Sequence, residues 1–183
     1  MEFEQVVRAR RSIRKFSAAD VSDELVKSLI DCAVHAPSSM NGQPWHFIVV
    51  RNAETKKRLA ATKNKYCPPE KSDYSADFLL AAPVLILTCV DQALSYDRGI
   101  ENGVLATAHL LLAAANYGLT SVYMSAYKTG TPEVADEIRA ILDIPADFDP
   151  ITLLPIGFPG GCPEPKKTKS ADEVICFEAF GRK

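Results

Sequence analysis

At 183 residues, 47% of them hydrophobic, the chain holds enough apolar side chain for one independently folding domain and leaves no room for a second catalytic one. Its formal charge of −2 gives no global pull toward nucleic acid or anionic lipid, so any anion recognition must be local. The five cysteines (Cys32, Cys67, Cys89, Cys162, Cys176) are widely spaced with no C-x-x-C pair, which argues against a zinc or iron–sulfur site, and Cys32 and Cys89 sit in apolar stretches that suit a reducing compartment.

Met1 to Arg10 mixes charged and apolar residues and lacks the apolar core of a secretory signal, so a cytoplasmic protein is expected. Phe3, Val6 and Val7 have helical spacing. The segment then breaks into a basic loop around Ser12, within a cluster of Arg8, Arg10, Arg11, Arg14 and Lys15. Charge alone reads there as a solvated helix face plus a basic turn. Ser22 can cap a second helix with the stripe Leu25, Leu29, Ile30 and Ala33, which must end before Pro37 because the residue preceding proline resists the helical region. Pro37 to Pro44 reads as a loop, Phe47 to Val50 as a short strand and Glu54 to Lys63 as a short helix. Tyr66 to Ser72, through Pro68 and Pro69, is expected to be the least regular and most mobile stretch.

Val84 to Val90 is a continuous apolar run of strand length, as a strand buried on both faces requires. The whole run from Phe78 is broken by Pro83 and falls short of the roughly 20 residues of a membrane span, so no membrane association is expected. From Asp97 to Tyr117, Ile100, Val104, Leu105, Ala108, Leu111, Leu112 and Ala115 mark a long helix with a wide apolar face, stopped by Gly118. Its alanines allow close approach of another helix, in the core or in a partner subunit. Ser121 to Tyr127 alternates like a strand, and Thr131 with Pro132 should cap and open a helix carrying Val134, Ile138, Ile141 and Leu142. Ile151 to Ile156 is another strand, Gly157 to Lys169 a loop rich in proline, glycine and lysine, and Val174 to Phe177 a last strand-like piece. Interleaved elements with irregular crossovers predict one α+β domain over residues 1–183, with a central mixed sheet flanked by helices.

Three segments carry candidate chemistry. They are Arg10-Arg11-Ser12-Ile13-Arg14-Lys15-Phe16; Ala36-Pro37-Ser38-Ser39-Met40-Asn41-Gly42-Gln43-Pro44-Trp45-His46-Phe47; and Gly118-Leu119-Thr120-Ser121-Val122-Tyr123-Met124-Ser125, followed by Pro155-Ile156-Gly157-Phe158-Pro159 and a lysine-bearing tail. In order and spacing they resemble the nitroreductase family, whose signatures R-x-S-x-[RK]-x-[FY] and A-P-S-x-x-N-x-Q-P-W-x-F match the first two. The resemblance implies a homodimer with flavin mononucleotide (FMN) at the interface. It places Arg10, Arg11, Ser12 and Arg14 on the cofactor, the first arginine and the serine at the phosphate and ribityl chain and Arg14 at the pyrimidine edge. It brings Pro37, Ser38, Ser39 and Asn41 from the other subunit, runs Tyr123, Met124 and Ser125 along the ring, and sets Lys167 and Lys169 near the phosphate.

The residue chemistry agrees. A phosphate needs several positive donors, and guanidinium groups bind it with paired, directional hydrogen bonds. A fixed cation at Arg14 would stabilise the negative charge that builds on the ring as electrons arrive; the alternative is a surface ion pair. Trp45 reads as a core anchor, and Ala126 stands where many relatives carry glycine, so its β-carbon bears on how closely the backbone approaches the ring. Lys166 is an alternative to Lys167, and a solvated lysine run is an alternative to both. Nothing in residues 64–77 matches the family's mid-chain contacts.

No G-x-G-x-x-G or G-x-x-x-x-G-K-[ST] occurs, which argues against a separate nicotinamide or nucleotide domain, and His35, His46 and His109 are scattered and read as structural. No catalytic acid, base or metal ligand is expected. The resemblance thus implies an oxidoreductase passing two electrons from NADH or NADPH through FMN to a small acceptor, such as a nitroaromatic or quinone, by a ping-pong scheme. Reductive dehalogenation, flavin fragmentation, azoline oxidation and non-catalytic FMN carriage are the alternatives. Nucleic-acid binding is disfavoured because the arginines lack interleaved aromatics.

Overall fold

The apolar run starting at Val84 forms the central strand of a four-stranded sheet, fully buried from Val84 to Val90. The structure, a computed structural model, describes residues 1–68, 70, 74–161 and 166–182. In chain order the elements are α1 (Phe3–Ala9), α2 (Asp23–Ala33), β1 (Trp45–Val50), α3 (Ala53–Lys65), α4 (Phe78–Ala81), β2 (Val84–Asp91), α5 (Gly99–Asn116), β3 (Thr120–Ser121), α6 (Glu133–Leu142), β4 (Phe148–Gly157) and α7 (Ala171–Val174). The sheet order is β1-β2-β4-β3 with antiparallel pairing throughout, and its one parallel contact is the bridge between Ser12 and Ser121.

Because successive strand side chains point to opposite faces, β2 divides its residues between two cores. Leu85, Leu87 and Cys89 pack with Leu59, Leu79, Ile138 and Leu153 on the α3–α4–α6 side. Val84 and Ile86 pack with Leu29, Leu110, Leu154 and Ile156 on the α2–α5 side. Burial pushes the Cys89 thiol up to about 12, so it stays protonated and inert, as a core residue should. The register of β2 with β4 slips between Thr88 and Cys89, a bulge that leaves Ile151 unpaired on β4 and accommodates Pro150.

Local signals account for the element boundaries. Ser22 Oγ accepts the Leu25 amide at 3.2 Å and caps α2, Asn52 Oδ1 accepts the Thr55 amide at 2.9 Å and caps α3, and Gly118, at φ +72°, ends α5. Trp45 is buried with Ala36 and Ala106, which makes it the core anchor the sequence suggested.

One open expectation, the face of α5, is narrowed, and three are corrected. Helix α5 turns Gly103, Ala106, Thr107, Leu110, Ala113 and Ala114 to the sheet, while Ile100 and Leu105 are exposed and Val104, Ala108, Leu112 and Ala115 half-buried. Apolar residues surround this helix, so periodicity could not choose a face; close approach did, since a β-carbon on Gly103 would lie 2.8 Å from Ile151. The alternation from Ser121 to Tyr127 gives only the two-residue β3 and then a single bridge, Ser125 to Thr152. Pro132 precedes α6 with no side-chain cap from Thr131. Val174 to Phe177 is not a strand: α7 ends at Val174, and the residues after it are exposed with no strand pairing among the described residues. Part of the stretch expected to be irregular, Pro69, Lys71 and Ser72, lies outside the described residues, as do Cys162 and residues 163–165 of the loop after β4. No helix is long and apolar enough to cross a membrane, and among the described residues no His, Cys, Asp or Glu cluster could hold a metal ion.

Candidate functional site

The basic segment is fixed by its backbone, which leaves its side chains available. Beyond α1, the Ile13 amide donates to Ser121 O (3.0 Å), the Ser17 amide to Phe158 O (2.9 Å) and the Gly160 amide to Lys15 O (3.0 Å). Residues 12–17 are therefore clamped between β3 and the turn after β4. A β-carbon on Gly157 would lie 2.6 Å from Pro83 Cδ and 3.0 Å from Phe16 Cδ1, so only glycine lets Phe16 seat against the sheet. Arg11 turns its Nη1 back onto Arg8 O and Arg10 O and so caps α1, while its buried Nε has no partner. Arg10 lines a small cleft of about 260 Å³ with Ile13, Leu111, Ala115 and Ser121. Among the described residues neither Arg10 nor Arg14 pairs with a carboxylate.

Arg14 reaches a second, larger cleft of about 500 Å³, whose walls are Tyr66, Tyr74 and Phe78 on one side and Tyr123, Met124, Ser125 and Tyr127 on the other. Its guanidinium carbon lies 5.7 Å from the centre of the Phe78 ring. Burial raises the Tyr123 and Tyr74 phenols, with Arg14 opposing the shift at Tyr74, so both stay protonated at neutral pH.

Backbone polarity in the Tyr123–Ser125 segment is well defined. Leu153 N–H donates to Met124 O and Ala126 N–H to Ile151 O, both at 2.9 Å. Around the Ser125–Thr152 bridge these two bonds face β4, which turns the N–H and C=O of Ser125 away from it. The Ser125 carbonyl accepts Lys63 Nζ at 2.7 Å. Ala126 is wholly buried in the core, so its β-carbon does not intrude on the cleft. Burial lowers the pKa of Lys63; Cys67 acts to raise it and Lys128 to lower it further.

The loop before β1 is built elsewhere. Asn102, buried near the start of α5, accepts the Ser39 amide (3.0 Å) and the Ser39 hydroxyl (3.3 Å) on Oδ1, and donates from Nδ2 to Ser95 O (3.1 Å). Ser38 Oγ accepts the Gln43 amide at 3.0 Å. Met40, Asn41 and Gln43 all adopt left-handed backbone, and a β-carbon on Gly42 would collide with the Leu94 carbonyl. Such strain persists only where surroundings over-determine it, and here they present Met40 and Asn41 to solvent. Replacing Asn102 by Ala is expected to cost about 2–4 kcal/mol in urea unfolding, because the Ser39 amide and Ser95 carbonyl lose partners together. Asn102→Asp should recover little, since it keeps the acceptor but loses the donor and buries a charge. A loss below about 1 kcal/mol for Asn102→Ala would show that the loop is not held through this residue.

The structure thus brings Arg14 together with Tyr123, Met124 and Ser125, and Arg10 with Ser121. It does not bring Pro37, Ser38, Ser39 or Asn41 to either cleft of the same chain, and Lys167 and Lys169 are exposed in the tail, away from both. Sequence reasoning missed Lys63, Tyr66, Tyr74, Phe78, Tyr127 and Lys128. One signal was available for Lys63: it follows buried Lys56, Leu59 and Ala60 at helical spacing, which puts a lysine on the inward face of α3.

Comparison with known proteins gives the class. The sequence profile of the nitroreductase family matches residues 7–158, and the chain belongs to that family. It is 31% identical over 176 residues, covering 95% of this chain and 86% of the relative, to a Methanothermobacter thermautotrophicus protein provisionally named an NADH dehydrogenase/NAD(P)H nitroreductase. It is 28% identical to an iodotyrosine deiodinase of Thermotoga neapolitana, covering 93% and 94% of the two chains. Among solved structures, an FMN-dependent nitroreductase of Clostridium difficile superposes with a TM-score of 0.79 at 26% identity, over 96% of this chain and 98% of that one.

Proposed function

We propose that the protein is a homodimeric FMN-dependent oxidoreductase that takes two electrons from NADH or NADPH and passes them to a small aromatic acceptor. The observation that carries this reading is the pair of guanidinium groups without carboxylate partners among the described residues, Arg10 at the small cleft and Arg14, on the clamped backbone, at the ring-walled one. These residues fit a flavin phosphate and ring: Arg10 and Ser12 would hold the phosphate and ribityl chain, Arg11 would offer its unpartnered Nε, Arg14 would sit at the ring's electron-rich edge, and the Ser125 N–H would face its reactive nitrogen. Bound FMN supplies the redox chemistry, accepting electrons from nicotinamide and releasing them to the acceptor. For a nitroarene the balance is NAD(P)H, a proton and the nitroarene giving NAD(P)+, the nitrosoarene and water, with protons drawn from solvent in the open cleft.

The arrangement along α5 supports the dimer. Its 18 residues span about 27 Å, with the Ser39 loop fixed at Asn102 and the Arg10 cleft at Leu111 and Ala115, about 14–20 Å further along. In one chain the loop and the arginines therefore stand at opposite ends of the helix. Packing the outward stripe Ile100, Val104, Leu105, Ala108 and Leu112 antiparallel on a second copy reverses the helix ends and carries each copy's loop to the other's arginines. Exposed apolar residues at both termini, Phe3, Val7, Phe177 and Phe180, extend the surface to be covered.

The likeness to iodotyrosine deiodinases supports a second reading at the same cleft, in which an aryl iodide and NAD(P)H give the arene, NAD(P)+ and iodide. To test the leading reading, the purified protein is heated and the released cofactor is identified by chromatography, then the holoprotein is titrated anaerobically with each nicotinamide. FMN and bleaching by at least one donor are expected. Recovery of FAD, or no flavin after reconstitution, would overturn it.

A further inference from the structure

The larger cleft carries an imbalance of charge that the flavin chemistry does not require. Arg14, Lys63 and Lys128 face it, and no Asp or Glu is among its described lining residues. Glu137, which bonds the lining residue Tyr66, is engaged elsewhere: it accepts from Lys65 Nζ (2.5 Å), Tyr66 Oη (2.8 Å) and Thr62 Oγ1 (3.0 Å), which ties α6 to α3. Lys63 and Lys128 line the same cleft, and the Lys128 charge adds to burial in disfavouring the charged form of Lys63. Lys128 is exposed, and its bond to the Tyr66 carbonyl is long at 3.4 Å, so an incoming ligand displaces little by taking its ammonium group. Around these cations stand the rings of Tyr66, Tyr74, Tyr123 and Tyr127, which offer a flat ligand offset-stacked and edge contacts.

We infer that this cleft prefers planar aromatic acceptors that carry an anionic substituent, with Lys128 as the principal countercharge and Lys63 behind it. The inference rests on the oxidoreductase reading above, and adds to it a charge class for the acceptor. Arg14 is assigned to the flavin, which leaves the two lysines as the cations on the acceptor's side. A carboxylate placed there relieves the repulsion between them and forms charge-assisted hydrogen bonds to an ammonium that now has only a weak partner. The carboxylate takes no part in electron transfer, so the balanced reaction given above is unaltered. It sets affinity and orientation only.

The test uses an isosteric pair, 4-nitrobenzoate and 4-nitrobenzamide, with the FMN-loaded dimer. The ratio of their kcat/KM values in wild type is compared with the ratio in Lys128→Gln, which cancels the intrinsic difference in reducibility between the compounds. A fall in the carboxylate preference of about five- to tenfold is expected. Raising the ionic strength should erode the wild-type preference, and Lys57→Gln, on the exposed outer side of α3, should retain it. Calorimetric affinities of the two compounds for the oxidised protein, measured without a nicotinamide, should show the same drop. Equal ratios in wild type and Lys128→Gln would overturn the inference. So would a variant whose only defect is a raised KM for NADPH and not NADH, because the lysine would then serve the donor's phosphate. If neither compound is reduced although FMN is bound, the oxidoreductase reading fails, and the calorimetric ratio still decides the charge preference by itself.

Discussion

Arg14→Ala should lower the two-electron potential of the bound flavin by roughly 20–65 mV and cost little FMN affinity, whereas Arg10→Ala should weaken FMN binding by roughly tenfold to a hundredfold with a small change in potential. The two arginines are four residues apart but occupy different clefts: Arg10 lies beside Ser121 and the end of α5, while Arg14 reaches past Phe78 toward Tyr123 and Ser125. A cation near the ring is worth about 1 kcal/mol when exposed and about 3 kcal/mol once ligand and partner exclude water, and 30 mV corresponds to about 1.4 kcal/mol for a two-electron couple. Removing it makes each added electron less favourable, hence the negative sign. Loss of a charge-assisted phosphate contact instead costs about 1.5–3 kcal/mol of binding. Redox-dye titration gives the potentials, and fluorescence quenching gives the dissociation constants. Matching changes in both quantities for both variants would contradict this division of roles.

What the sequence made legible was local. Arg10 to Phe16 is readable because its pattern of arginines and serine is contiguous, and the backbone clamp acts on the same short stretch. Val84 to Val90 is readable because a strand buried on both faces must be apolar throughout. The failures are non-local. Lys63 and Lys128 lie far apart in the chain and meet only because α3 packs against the segment that leaves β3. Ser121 to Tyr127 has strand alternation, yet it pairs with β4 only at its start, Ser121 with Ile156, and again at the single bridge of Ser125 with Thr152. On α5 the apolar stripe was legible but its side was not: core or partner subunit stayed open, and of the stripe only Leu111 is buried against the sheet. An outward row of Ile100, Val104, Leu105 and Leu112 is the kind of apolar face that invites association, and so supports the proposed shared site.

That reading predicts complementation between two defective chains. Arg10→Ala/Arg14→Ala removes the arginine side of the pocket and keeps the loop, while Ser39→Trp/Asn41→Ala spoils the loop and keeps the arginines. Each should be nearly inactive as a homodimer, provided circular dichroism confirms that both remain folded. For the loop variant this is the expected outcome, because Ser39 still offers its amide to Asn102, and Asn41 is exposed. In a twofold dimer with the arginines of one copy facing the loop of the other, a mixed pair holds one site with both defects and one with neither. Co-expression with two different tags and tandem purification isolates that mixed pair, a route chosen because a large apolar interface exchanges slowly once formed. Its activity should approach half that of wild type, and it should bind about one FMN per dimer at cofactor concentrations that leave both parents empty. Had the loop and arginines of one chain built the site together, every site in the mixed pair would carry one of the two defects. Activity and FMN content at the level of the parents, with normal FMN binding by wild type, would therefore reassign the Ser39 loop to its own subunit.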